Sequence, residues 1–116
     1  MAEIELGLLE GGWKTLEFEP FLDNVEIYWI RRFSGAEPGV AILKYQPGAV
    51  VPRHRHEGVE TILVLEGEQI DESGAHGAGS FMVNAVGDEH SVWSPQGCAV
   101  LIQWQRPVKI LEDANP

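Results

Sequence analysis

The stretch Gly48–Gly67, GAVVPRHRHEGVETILVLEG, decides how the rest of the sequence is read. An extended chain points successive side chains to opposite faces, so His54 and His56 share one side. Glu60 keeps the same parity, and a turn at Glu57-Gly58 returns it beside the two imidazoles. Two histidines and a carboxylate converging in this way suit a first-row divalent metal such as Fe, Mn, Ni or Zn. Thr61–Leu65 (TILVL) supplies a stiff apolar strand behind them, ended by Gly67. Arg53 and Arg55 have the opposite parity and are expected to face away.

The same extended habit continues on both sides. Val25, Ile27 and Trp29 alternate within Asn24–Phe33, a segment dense in β-branched and aromatic residues. Further strands are read at Val40–Gln46, Glu68–Asp71, Ser80–Val83, His90–Trp93 and Cys98–Gln105, with Val108–Leu111 as a last edge strand. Gly- and Pro-rich turns separate them at Ser34–Gly39, Pro47-Gly48 and Ser94–Gly97, with a glycine-rich bend at Glu72–Gly79. No window carries a helical period over ten or more residues. Short strands at roughly 8–12-residue spacing mean an all-β sandwich or barrel. Closing such a barrel can carry His90, which follows the Gly87-Asp88-Glu89 turn, alongside the first strand. His54, His56, Glu60 and His90 then form a four-donor site with one or two positions left for water or substrate. Open positions separate a catalytic or ligand-binding metal from a structural one.

At 116 residues the chain fits one domain, 1–116, with residues 1–20 as an N-terminal arm or edge segment. A net charge of −10 argues against nucleic acid and anionic membranes, which both call for basic surface. Cys98 is the only cysteine, so no intrachain disulfide or cysteine zinc cluster forms. It is read as a small buried hydrophobe on the face it shares with Val100, Ile102 and Trp104, the alternative being a redox-sensitive position lining the cavity near the metal. The start lacks a basic segment followed by an apolar run, and no apolar stretch approaches the ~20 residues that span a bilayer. A cytoplasmic location is the expectation. His76 reads as a solvent-exposed hairpin residue, in a bend without the strand-to-helix setting of a phosphate loop. Trp29, Phe81 and Trp93 are expected in the core, one or two of them at a pocket mouth. Tyr45, Glu68 and Glu89 are general-base candidates by residue type alone, so no catalytic residue is assigned.

Gly48, His54-x-His56, Glu60 and Gly67 together resemble the first cupin motif over its full length. Gly79, Ala85-x-Gly87, His90 and Ser94 resemble the second, with Ala85 where proline is usual and Ser94 where asparagine is. Residues 36–106 are most similar to the cupin module of ChrR-type anti-sigma factors. That subgroup includes small stand-alone proteins and relatives of acetylacetone-cleaving dioxygenase. The resemblance implies a double-stranded β-helix, or jelly-roll barrel, with one divalent metal inside on His54, His56, Glu60 and His90. It also implies a small-molecule ligand and a homodimer. It does not carry the anti-sigma activity, which depends on a separate N-terminal zinc-binding helical domain for which this sequence has neither the length nor the cysteines. The acetylacetone-cleaving relatives use three histidines, and Glu60 sets this sequence apart from them. Two functions follow as expectations: a small dioxygenase-type metalloenzyme acting on a carbonyl compound, or a ChrR-like sensing module working through a partner without catalysis. In a third reading the metal merely staples the barrel.

Overall fold

Alternating apolar residues produce ten strands in the computed structural model, which describes residues 2–111. They are β1 (Glu19–Leu22), β2 (Val25–Arg31), β3 (Gly39–Tyr45), β4 (Ala49–Arg55) and β5 (Glu60–Asp71), followed by β6 (Gly74–Gly77), β7 (Phe81–Asn84), β8 (Glu89–Ser94), β9 (Cys98–Trp104) and β10 (Lys109–Ile110). The strands pair in the order β1-β2-β3-β9-β5-β8-β4-β10, with β6 and β7 also on β5, and every pairing is antiparallel. The sheet curls into a jelly-roll barrel, as the family resemblance implied. Among the described residues no helix is long and apolar enough to cross a membrane.

One parity of each strand fills the barrel. Ile27, Leu43, Ile62, Val64, Val100 and Ile102 are all buried in one cluster. Fully burying each such side chain is worth about 1.5–3 kcal/mol, so this cluster supplies much of the drive to close the sheet. The opposite parity of β3, β5 and β9 contributes Ile42, Leu65 and Ala99 to a second cluster on the outer face. Trp13 covers that face from a 3-10 turn at Gly12–Thr15, and it is buried there.

Three local expectations change. Gly67 does not end a strand: β5 runs twelve residues from Glu60 to Asp71, joining two segments that the glycine appeared to separate. The glycine-rich bend contains β6, which folds back onto the end of β5. Phe81 is not core but 63% exposed. On β7 the inward parity belongs to Met82 and Asn84, because Asn84 pairs opposite buried Glu60, so Phe81 and Val83 are turned out.

Two bulges decide what faces the interior. In β4, Ala49 and Val51 point inward, and unbroken alternation would bury Arg53 and Arg55. The register against β8 shifts between Val51 and His54, across Pro52 and Arg53, so His54 turns inward instead. Arg53 is left outside, bonded to Glu89, and Arg55 is bonded to Glu57. In β5 a second shift between Val64 and Glu66 moves the inward parity from Ile62 and Val64 to Gln69.

Candidate metal centre

The register of β4 against β8 sets His90 directly opposite His54. His56 lies just beyond β4, held by its backbone N–H on Asp88 O at 2.9 Å. The three rings stand at 4.7–5.1 Å between centroids and are tilted 68–78° to one another. All three are buried, and each offers a nitrogen within 4.8 Å of the others.

Hydrogen bonds settle which nitrogen each ring turns inward. His54 Nδ1 donates to Pro52 O at 2.9 Å, and His56 Nδ1 to Asp88 O at 2.8 Å. A carbonyl oxygen can only accept, so the proton sits on Nδ1 and the lone pair on Nε2. His90 Nδ1 donates to the Asp71 carboxylate at 3.1 Å. The Nε2 atoms of His56 and His90 are buried with no hydrogen-bond partner, a costly state unless something else meets their lone pairs. This donor set fits a transition metal, and carboxylate or carbonyl partners behind ligating imidazoles are the usual support.

Glu60 is buried as well, with Oε1 at 3.2 Å from His56 Nε2. Asn84 Nδ2 donates to the same oxygen at 2.9 Å and aims the carboxylate. Glu60 is therefore beside His56, but among the described residues the ligand atoms that lie within 4.8 Å of one another belong to the three imidazoles and leave the Glu60 carboxylate out. Burial pushes the His54 pKa down. Burial opposes protonation of His56 too, but the Glu60 carboxylate outweighs it and the net direction is up. Burial would raise Asp71, yet bonds from Ser73, His76 and His90 hold it down at about 2, so it remains a charged anchor.

His54, Glu60 and His90 open onto a cavity of about 350 Å³. Its walls are mainly apolar, with an aromatic side made by Phe21, Trp29, Phe33 and Trp104. Tyr45 lines it, whereas Glu68 and Glu89 do not. Burial drives the Tyr45 pKa well upward, so it is a poor base and a persistent hydroxyl donor. Trp29 sits at the wall, as a pocket aromatic was expected to, while half-buried Trp93 lies outside the cavity lining. Cys98 is buried in the core cluster outside the cavity lining, and burial raises its thiol to about 11, which suits packing and not nucleophilic chemistry. His76 is half-buried, not solvent-exposed, and contacts Asp71 Oδ1 at 3.2 Å.

The sequence reading overlooked Gln69, Asp71 and Asn84. Each is polar on a strand, and what marks it is the partner that register supplies.

A family profile described as the ChrR cupin-like domain matches residues 12–108. The chain belongs to the ChrR cupin-like family. Among solved structures, this cupin matches that of Rhodobacter sphaeroides SigE in complex with the anti-sigma ChrR at 26% identity and a TM-score of 0.70. The match covers 78% of this chain and 50% of that one, so the cupin spans half the length of its relative. An RmlC-like cupin from Ralstonia eutropha has 17% identity, a TM-score of 0.77 and coverage of 86% and 69%. An acetylacetone dioxygenase from Acinetobacter johnsonii has 15% identity, a TM-score of 0.77 and coverage of 85% and 74%. At those identities the likeness is one of fold. No curated protein matches this cupin.

Proposed function

We propose that this cupin binds one divalent transition metal, Fe, Mn, Ni or Zn, through His54, His56, Glu60 and His90, and acts on a small carbonyl compound of the diketone type. The observation that carries the reading is the set of inward Nε2 atoms at an apolar cavity large enough for a small ligand. When bound, the metal would polarise a carbonyl or enolate oxygen, and iron would support dioxygenase-type cleavage. The protein's part is to hold three imidazoles by their Nδ1 atoms and one carboxylate by Asn84. Trp29, Phe33 and Trp104 keep bulk water from the ligand. Among the described residues no Lys or Arg lines the cavity, which favours an uncharged substrate over a free carboxylate. Cytoplasmic location and a homodimer belong to the same reading; the edge strand β1, paired on one side only, gives a second copy a place to pair.

Oxygen uptake by the iron-loaded protein, measured over a panel of small diketones, tests the enzyme. Uptake with a cleaved product, lost in His54→Ala, is the expected result. The family match and the 26% identity to the ChrR complex favour a second reading, a regulatory module that senses a metal or ligand. No uptake and no product across the panel, together with capture of one specific protein partner, would replace the enzyme with that sensor.

Asp71 gives a separate check on the metal. Asp71→Asn keeps the shape but weakens the acceptor that aims His90, and is expected to loosen metal binding roughly 10–100-fold. Competition with a chromophoric chelator measures this, and an unchanged affinity would show that the carboxylate contributes nothing.

A further inference from the structure

Two polar side chains in the cavity have no part in the donor set. Tyr45 on β3 and Gln69 on β5 both line it, at 5% and 2% exposure. The strand β9 lies between theirs: Tyr45 and Gly67 pair with Cys98 from its two sides. Gln69 lies two residues beyond Gly67 and is turned inward after the β5 bulge, on the same side as Tyr45. Its Nε2 donates to Tyr45 Oη at 3.3 Å.

That bond has a direction with consequences. Because the phenol oxygen accepts from Gln69, its own proton is free to donate. Among the described residues no acceptor is paired with that proton. A buried donor kept without an acceptor is unfavourable in an apolar enclosure and needs a reason. The rest of the lining narrows what the acceptor can be. Aromatic walls and the lack of a cationic side chain disfavour a charged ligand, while an uncharged carbonyl oxygen accepts well.

We propose that Tyr45, oriented by Gln69, donates a hydrogen bond to a carbonyl oxygen of an uncharged ligand whose apolar part lies on the aromatic wall. Tyr45 then adds to the preference of the cavity for a small ketone over a hydrocarbon of similar size. This rests on the carbonyl reading of the site proposed above and assigns one of its contacts.

Zinc-loaded protein, which cannot turn over by redox chemistry, provides the test. Calorimetric titration with 2,4-pentanedione is compared with titration by toluene, which lacks an acceptor. Tyr45→Phe is expected to keep its zinc and its toluene affinity while losing about tenfold in pentanedione affinity, the typical worth of one hydrogen bond. Gln69→Leu leaves the phenol in place but unoriented, and is expected to lose a smaller factor. It supplies the answer if Tyr45→Phe fails to fold. Pentanedione affinity equal to wild type in the folded variants overturns the assignment and leaves the metal site standing. Zinc-loaded wild type that takes toluene but no pentanedione overturns the carbonyl reading, and this contact with it.

Discussion

His90→Ala is expected to strip most of the bound metal from the protein, and His54→Ala to do the same. Each change removes one of three imidazoles that offer ligand atoms within 4.8 Å of one another. Neither ring has a substitute among the described residues, because Glu60 is already committed beside His56. The loss at His90 has a second part. Asp71 would keep its charge and two partners, Ser73 and His76, yet have no imidazole to aim. His76→Ala removes a side chain that touches the same Asp71 without joining the converging set, so it is expected to lower occupancy far less. Metal analysis of protein made without an affinity tag checks all three. Irving–Williams affinities make the metal recovered depend on supply, so total occupancy is the quantity to compare. Unchanged occupancy in both His54→Ala and His90→Ala would remove the site from consideration.

Gly67→Ala is expected to be among the most destabilising single changes in the chain. The residue sits inside β5 with φ +77°, where an L side chain costs about 1–2 kcal/mol. An added Cβ would lie 2.3 Å from Gly97 O and 2.9 Å from Cys98 Cα. Both are backbone atoms of the neighbouring strand and its turn, so relief requires parting β5 from β9. Strain and clash together are expected to cost about 3 kcal/mol or more, a large share of the ~5–15 kcal/mol that holds a domain folded. Gly79→Ala is the control: its φ is +89°, but nothing lies within 4 Å of an added Cβ. It should show the conformational cost alone. Equal melting temperatures for the two variants would mean that the tight β5–β9 approach does not matter.

Much of this architecture was readable because alternation is local. Val25, Ile27 and Trp29 announced β2, and Cys98, Val100, Ile102 and Trp104 announced the buried face of β9. The reading failed where a residue's partner lies far along the chain. Gly67 looked like a strand end because glycine weakens strands, yet it is required where β9 approaches too closely for a side chain. Phe81 looked like core by its type, but Asn84 holds the inward parity of β7 through Glu60. The candidate base Tyr45 did reach the cavity, and its burial turns it from a base into a donor.

From the order of residues alone came the all-β class, the candidate donors His54, His56, Glu60 and His90, and the shared face of His54 and His56. Which way that face points was a tertiary decision, since the shift between Val51 and His54 depends on how β4 pairs with β8. The same holds for the supporting groups: Asp71 behind His90, Asn84 on Glu60 and Gln69 on Tyr45 meet only once distant strands are in register. A two-residue period belongs to the backbone of one strand and can be read anywhere along it. A bulge belongs to a pair of strands, and no single stretch of sequence contains both.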